Sequence, residues 1–257
     1  MTQNLHDALQ KFAENKHILI ALDFDGTLAP FVANAEEARM SEENATTLKK
    51  LSQLPDTDLA LVSGRNVESL IATAKPEDNY YLIGSHGAEM SFSNEGPELS
   101  KEQQQLLADI TKAVEKTSAE IPGSKVEYKP AAVVFHYREV DENKADEVQK
   151  AIDGLNDQFP MLHSMAGNKV EEFAILSLTK GDGIKAIRKH LNVDAILFIG
   201  DDVTDENGFK ELSDNDIGIK VGEGETKAAY RIADTDAVTE TIAELLKLRE
   251  AVTAKNS

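Results

Sequence analysis

The stretch Ile18-Leu19-Ile20-Ala21-Leu22-Asp23-Phe24-Asp25-Gly26-Thr27-Leu28 decides the reading of the chain, because an apolar run breaks off into two carboxylates, a glycine and a hydroxyl. Runs of this length with β-branched residues, bounded by turn residues, suit the inner strand of a parallel sheet covered on both faces. The polar tip of a buried strand then needs a reason. Asp23 and Asp25 are two positions apart, so in extended geometry they point to one side and crowd their charges. Such a pair needs a shared proton or a cation, and a hard divalent ion such as Mg²⁺ suits oxygen-only ligands. A lone Asp-x-Asp reads equally well as a solvated turn. An EF-hand loop is excluded, since it places its glycine at the sixth position from the first Asp and Gly26 is at the fourth.

Outward from this stretch the pattern alternates. Residues 4–12 place Leu5, Ala8, Leu9 and Phe12 at helical spacing, and Ser41 opens a second helix carrying Ala45, Leu48, Leu51 and Leu54 before Pro55. Residues 58–62 form another apolar strand, which breaks into Ser63-Gly64-Arg65 ahead of a helix with Val67, Leu70 and Ile71. Residues 80–83 predict a third strand, ending in Gly84-Ser85-His86-Gly87-Ala88-Glu89. From about Ser93 the order changes. Ser100 and Gln103 make a capping box ahead of Leu106, Ile110, Val114 and Ile121. Residues 125–140 are strand-like, interrupted by Pro130; residues 146–159 read as a helix, and 161–177 as two strands turning at Ala166-Gly167-Asn168. The βα alternation resumes at Thr179-Lys180-Gly181-Asp182, with strands at 195–199 and 217–221 and a last helix from Val238. The expected fold is α/β: a doubly wound, Rossmann-like parallel-sheet core (1–92 and 178–257) with an inserted α+β cap domain (93–177).

In an open α/β sheet, ligands bind outside the carboxyl ends of the strands. Asp23, Ser63 and Asp201 all fall at such ends. Ser63 alone reads as a turn or N-cap serine, but before Gly64 it can donate to a phosphate oxygen. Lys180 sits at the positive end of a helix dipole, an unfavourable place for a cation that an anion would repair. The run Gly200-Asp201-Asp202-Val203-Thr204-Asp205-Glu206 packs four acids beside a buried strand, which a metal explains better than a random solvated cluster.

Asp23-Phe24-Asp25-Gly26-Thr27-Leu28 resembles the first signature motif of the haloacid dehalogenase superfamily of aspartate-nucleophile phosphotransferases, and Asp23, Ser63, Lys180 and Asp201 match its four motifs in order. The resemblance implies that Asp23 attacks phosphorus, that Asp25 is general acid and base, and that Ser63, Gly64 and Lys180 hold the phosphoryl group. It also implies that Asp201 ligates Mg²⁺ with Asp23 and the backbone carbonyl of Asp25, while Asp202 and Asp205 fix the metal's waters and Lys180. A carboxylate nucleophile splits one difficult displacement into two easier ones.

A finer resemblance, covering nearly the whole chain, is to the trehalose-6-phosphate phosphatase family. It rests on Val62-Ser63-Gly64-Arg65, on Gly84-Ser85-His86-Gly87-Ala88-Glu89 and on the Gly-Asp-Asp-x-Thr-Asp-Glu string. In the cap, Val126-Glu127-Tyr128-Lys129, His136-Tyr137-Arg138 and residues 167–172 resemble the family's sugar-facing pattern. The resemblance implies Arg65, His86, Glu127, Lys129, Arg138, Lys169 and Glu172 as substrate contacts. Alternation puts Glu127 with Lys129 on one face, and His136 with Arg138. Where the family often has lysine after the glycine, this chain has Asn168, which leaves open whether Lys169 takes its place and whether Glu171 or Glu172 meets the sugar. The implied reaction is Mg²⁺-dependent hydrolysis of trehalose 6-phosphate. Alternatives are another sugar-phosphate phosphatase, a hexose phosphomutase, or a non-catalytic Mg²⁺- or anion-binding module, which would need a broken constellation.

Composition narrows the rest. A net charge of −19 without a dense basic patch argues against nucleic acid. No stretch approaches the ~18 apolar residues of a membrane span, and residues 1–16 carry Asp7 and Glu14 and lack the apolar core of a signal peptide. The absence of cysteine rules out disulfides and thiol chemistry and is compatible with a reducing compartment. A cytoplasmic enzyme acting on a small sugar phosphate is expected, with no nucleic acid, no membrane and no obligate protein partner evident.

Overall fold

The computed structural model describes residues 2–93, 99–167 and 169–256. By its internal contacts the chain divides into one unit made of residues 1–94 and 179–257 and an inserted unit, 95–178.

The first unit is built on strands β1 (Ile18–Leu22), β2 (Thr57–Val62), β3 (Tyr81–Gly84), β4 (Glu89–Met90), β9 (Ala195–Gly200), β10 (Ile217–Val221) and β11 (Tyr230–Ile232). They form one seven-stranded sheet in the order β11-β10-β9-β1-β2-β3-β4, parallel except for the β3–β4 pair. Strand order reverses between β1 and β9, as at the ligand-binding switch point of doubly wound folds. All five residues of β1 are buried. Ile18, Ile20 and Leu22 pack with helices α1 (Gln3–Ala13), α2 (Glu42–Leu51), α3 (Val67–Ala74) and α8 (Thr235–Asn256). Leu19 and Ala21 join the opposite cluster, with Ile184 and Ile187 of α6 (Lys180–Leu191) and Phe209 of α7 (Asp205–Phe209). An unbroken apolar strand is thus what two covered faces demand. The register sets Leu22 beside Leu61 of β2 and Ile199 of β9, so the polar tips following all three strands emerge together at one edge.

The inserted unit carries α4 (Lys101–Glu120), α5 (Ala145–Gln158) and a four-stranded antiparallel sheet in the order β5-β6-β8-β7. Its strands are β5 (Lys125–Lys129), β6 (Ala132–His136), β7 (His163–Gly167) and β8 (Val170–Ala174). Its own core joins Ile110 and Val114 of α4, Val148, Ile152 and Leu155 of α5, and Val133, Phe135 and Phe173 of the sheet. The Ser100–Gln103 capping box opens α4, but Ile121 lies just beyond the helix as an extended cap residue, still buried in that core. Asn168 lies outside the described residues. Among the described residues no helix is long and apolar enough to cross a membrane.

One buried cation fastens the first unit. Arg249 of α8 is 2% exposed. Its Nε donates to Thr57 Oγ1 at 3.0 Å, Nη1 to the carbonyls of Ala13 and Asn15 at 2.7 and 2.6 Å, and Nη2 to those of Lys16, Pro55 and Asp56 at 2.8, 3.3 and 2.9 Å. The guanidinium thereby ties the chain entering β1 to the chain entering β2. Truncating it orphans several buried acceptors at once, so Arg249→Ala is expected to lower unfolding free energy by about 3–5 kcal/mol. Urea denaturation measures this, with Arg249→Lys recovering little because an ammonium lacks the fork.

Candidate active site

The site grows from the three loops that follow β1, β2 and β3, from the start of α6 and from the loop after β9. Asp23 leaves β1 with its amide bonded to Ile199 O of β9 at 2.9 Å, and its side chain is buried. The chain then turns sharply through Gly26, whose φ is +80°. A Cβ there would meet Asp201 Oδ2 at 2.3 Å, so only glycine lets the first loop lie against the acid loop after β9. Thr27, fully buried, donates to Asp201 Oδ1 at 3.3 Å from the other side of the same turn.

Thr179 and Asp182 cap α6 reciprocally, with Thr179 N to Asp182 Oδ2 at 3.0 Å and Asp182 N to Thr179 Oγ1 at 3.3 Å. The cap fixes the first helical residue, Lys180. Its ammonium is buried and lies 2.9 Å from Asp23 Oδ1 and 2.7 Å from Asp205 Oδ1. Burial alone would lower the Lys180 pKa, but the charges of Asp23 and Asp205 outweigh it and raise the value. Burial pushes the Asp23 carboxyl well above the usual carboxylate range; Lys180 opposes the rise, and Asp205 and Asp201 add to it. Burial raises Asp201 as well, and Asp205 and Asp202 contribute.

Oxygens of Asp23, Asp201 and Asp205 lie within 4.8 Å of one another. Three carboxylates this close, with one ammonium among them and the pKa values of Asp23 and Asp201 driven up, form an oxygen-only donor set that fits a divalent cation. Asp205 is the member already committed to protein groups: Oδ1 takes the Lys180 ammonium and Oδ2 accepts from Asp202 N at 2.9 Å. Asp202 is exposed and folds back on its own loop, accepting from Val203 N at 2.7 Å.

Ser63 is buried at the end of β2, where its Oγ accepts from Arg65 N at 3.1 Å. Next to it, a Cβ on Gly64 would sit 2.6 Å from the His86 ring, so that glycine is the contact surface of the imidazole. His86 and Ser85 both hold left-handed backbone, at φ of +54° and +49°, conformations that non-glycine residues adopt at some cost. The strain is held by cross-loop bonds. Ser85 N donates to Arg65 O at 2.7 Å, His86 N to Ser63 O at 3.1 Å, and the Ser85 hydroxyl to Glu89, whose other oxygen accepts from Val67 N at 3.0 Å.

Arg65 turns its fork to Asp25, with Nε to Oδ2 and Nη2 to Oδ1, both at 2.6 Å. The same Nη2 reaches Ala35 O at 2.7 Å, and the guanidinium stands 5.6 Å from the centre of the Phe24 ring. A cavity of about 430 Å³ is bordered by Asp23 and Asp25 from the first loop, Ser63, Gly64 and Arg65 from the second, His86 from the third, and Lys180 and Asp202 from the last two. Phe31 and Val32, both exposed, complete part of its wall. The sequence singled out each polar member; it missed the Arg65–Asp25 pairing and the part played by Glu89, because neither pairing follows from spacing along the chain.

The inserted unit gathers a second set of polar groups on the face of its sheet turned away from its apolar core. Val133, Phe135 and Phe173 mark the core face, so Glu127, Lys129, His136 and Glu172 fall on the other by alternation. Lys129 Nζ bonds Glu172 Oε2 at 2.7 Å and His136 Nε2 lies 2.8 Å from Glu127 Oε2. Glu171 shares the face of Phe173, is buried, and accepts from the Ser164 hydroxyl. Of the two glutamates, Glu172 therefore stands with Lys129 and Glu127. Arg138 lies beyond β6, which stops at His136 before the chain turns with Val140 N bonded to Tyr137 O at 3.3 Å, so strand alternation does not extend to it. Lys169, at φ of +63°, is an exposed residue of the β7–β8 turn, and its carbonyl accepts from Tyr137 N at 3.0 Å.

The sequence model of the trehalose-phosphatase family matches residues 21–239. Probable trehalose-phosphate phosphatase E of Arabidopsis thaliana is 31% identical, over 96% of this chain and 75% of its own length. Probable trehalose-phosphate phosphatase H of the same plant is also 31% identical, over 96% and 77%. Among solved structures, the C-terminal domain of trehalose-6-phosphate phosphatase from C. albicans matches with a TM-score of 0.70 at 24% identity, covering 96% of this chain and 97% of that one, a likeness of fold. With its family model spanning most of the residues and the acids, serine and lysine gathered at one sheet edge, the chain belongs to the trehalose-phosphatase family.

Proposed function

We propose that the chain hydrolyses trehalose 6-phosphate to trehalose and phosphate with Mg²⁺ as cofactor, and that it works in the cytoplasm, with which its cysteine-free composition is compatible. The observation that carries the chemistry is the buried Asp23 carboxylate fixed 2.9 Å from the Lys180 ammonium at the edge of an open cavity. Asp23 attacks phosphorus, forming an aspartyl phosphate as the bond to the sugar oxygen breaks. On the family pattern Asp25 is the general acid that gives a proton to that oxygen, and for this its bidentate pairing with Arg65 has to open, since both Asp25 oxygens accept from the guanidinium. Asp25 then takes a proton from the water that hydrolyses the acyl phosphate. Ser63, the Gly64 amide and Lys180 hold the phosphoryl oxygens as their charge grows. Asp23, Asp201 and the carbonyl of Asp25 would hold Mg²⁺, with Asp205 fixing Lys180. The ion supplies charge neutralisation on the transferred group.

The inserted unit acts as the cap that selects the sugar. The loops around Asp23 meet only groups that every phosphate ester presents, whereas Glu127, Lys129, His136 and Glu172 offer paired donors and acceptors to an uncharged disaccharide. Arg138 and Lys169 are assigned to the same task on the family pattern.

A phosphate-release assay across a panel of sugar phosphates tests the reading: trehalose 6-phosphate should lead, and a folded Asp23→Asn variant should be inactive, since an amide cannot form the acyl phosphate. Asp25→Asn should turn over roughly 10²–10⁴-fold more slowly, with phosphoenzyme accumulating in rapid quench; an unaltered rate would remove Asp25 from proton transfer. Lys129→Ala or Glu172→Ala strands the other partner and should cost about 1–3 kcal/mol per lost bond in kcat/KM for trehalose 6-phosphate. Hydrolysis of p-nitrophenyl phosphate should be unchanged, and equal losses on both substrates would show that the cap does not read the sugar.

A further inference from the structure

Lys220 is a buried lysine that none of the steps above uses. It lies on β10, where Ile217, Ile219 and Val221 face the α1–α8 side. Gly218 and Lys220 point to the other face, and a Cβ on Gly218 would meet Leu212 and Phe209 there. The register pairs Lys220 with Gly200, the last residue of β9, immediately before the acid loop. From that position its ammonium donates to the backbone carbonyl of Asp201. Among the described residues its partner is this carbonyl, a dipole rather than a countercharge. A buried ammonium is costly without full compensation, and a leucine would pack the same space without that cost.

The contact point gives the charge a purpose. Asp201 begins the loop that leads to Asp205, and its carboxylate is gathered with those of Asp23 and Asp205. The far end of the loop is also held from the β10 side, by Lys227 N donating to Glu206 Oε2 at 2.7 Å. Lys180 fastens Asp205 between the two. The peptide of Asp201 is thus pinned by Lys220 while its side chain is steadied by Thr27. We infer that Lys220 is a positioning residue for the divalent-cation site: by fixing the Asp201 carbonyl it aims the Asp201 carboxylate at Asp23 before any ion arrives. Partners of this kind, behind the ligands, set metal affinity by sparing the reorganisation that binding would otherwise require.

The inference rests on the reading of Asp23 and Asp201 as cation ligands, and the test separates the two. Mg²⁺ is titrated into the full chain without substrate, and affinity is read by calorimetry and by the metal-dependent rise in Tm. Wild type should bind and Asp201→Asn should not; no binding by wild type would overturn both readings. Lys220→Met should weaken Mg²⁺ affinity roughly 10–100-fold, while at saturating Mg²⁺ the KM for trehalose 6-phosphate stays as in wild type. Lys220→Gln, which keeps an N–H donor, should fall between the two and decides the matter if the methionine variant does not fold. A residue that only filled space would lower the Tm of the metal-free protein and leave the Mg²⁺ midpoint where it was. That result in either folded variant overturns the role of Lys220.

Discussion

Lys180 sets an ammonium between the carboxylates of Asp23 and Asp205 where almost no water reaches them, at 2.9 and 2.7 Å. Ion groups of this kind contribute little net stability, because desolvation consumes most of the attraction, yet removal of one member strands the others. The arrangement is therefore better understood as preorganisation. Asp201 joins the same group, and the pKa values of Asp23 and Asp201 are raised first by burial and then by the crowding charge of Asp205. A divalent ion relieves that crowding, so the protein's least comfortable region is also the one that binding improves most. Parallel register makes the group possible: Leu22 aligned with Ile199 fixes where the following acids emerge.

Much of this was legible in the chain itself. The unbroken apolar runs of β1 and β9, each ending in glycine or acid, announced a sheet covered on both faces and the edge where ligands gather. Lys180 was conspicuous because a lysine is misplaced at a helix N-terminus. What stayed hidden has a common cause. Lys220 alternates with apolar residues, as any solvent-facing strand residue would, and only the helices packed on that side make it buried. The bidentate bond from Arg65 to Asp25 spans 40 positions, and no local periodicity encodes it. β4 and β11 are too short to leave a pattern, at two and three residues.

In the inserted unit the same alternation rule resolves Glu171 from Glu172 and does not reach Arg138. Adjacent strand residues face opposite ways as long as the ladder persists, so Phe173 in the apolar core fixes the direction of both glutamates. Past His136 the ladder ends and parity carries no information. Sequence patterns thus assign faces reliably only within the strand.

The interrupted layout of the first unit also dictates an order of events during synthesis. β1 sits between β2 and β9, and β9 leaves the ribosome only after the whole of the inserted unit. Until then one edge of β1 has no neighbour, while the inserted unit, with a separate apolar core and locally paired strands, already has all it needs to fold. Arg249 comes later still, in α8, and fastens carbonyls at residues 13–16 and 55–56 made far earlier. The nascent chain therefore carries a finished insert on an unfinished scaffold. The acidic cluster, drawing on Asp23 from one side of the insert and on Lys180, Asp201 and Asp205 from the other, cannot assemble until the chain has been made through Asp205.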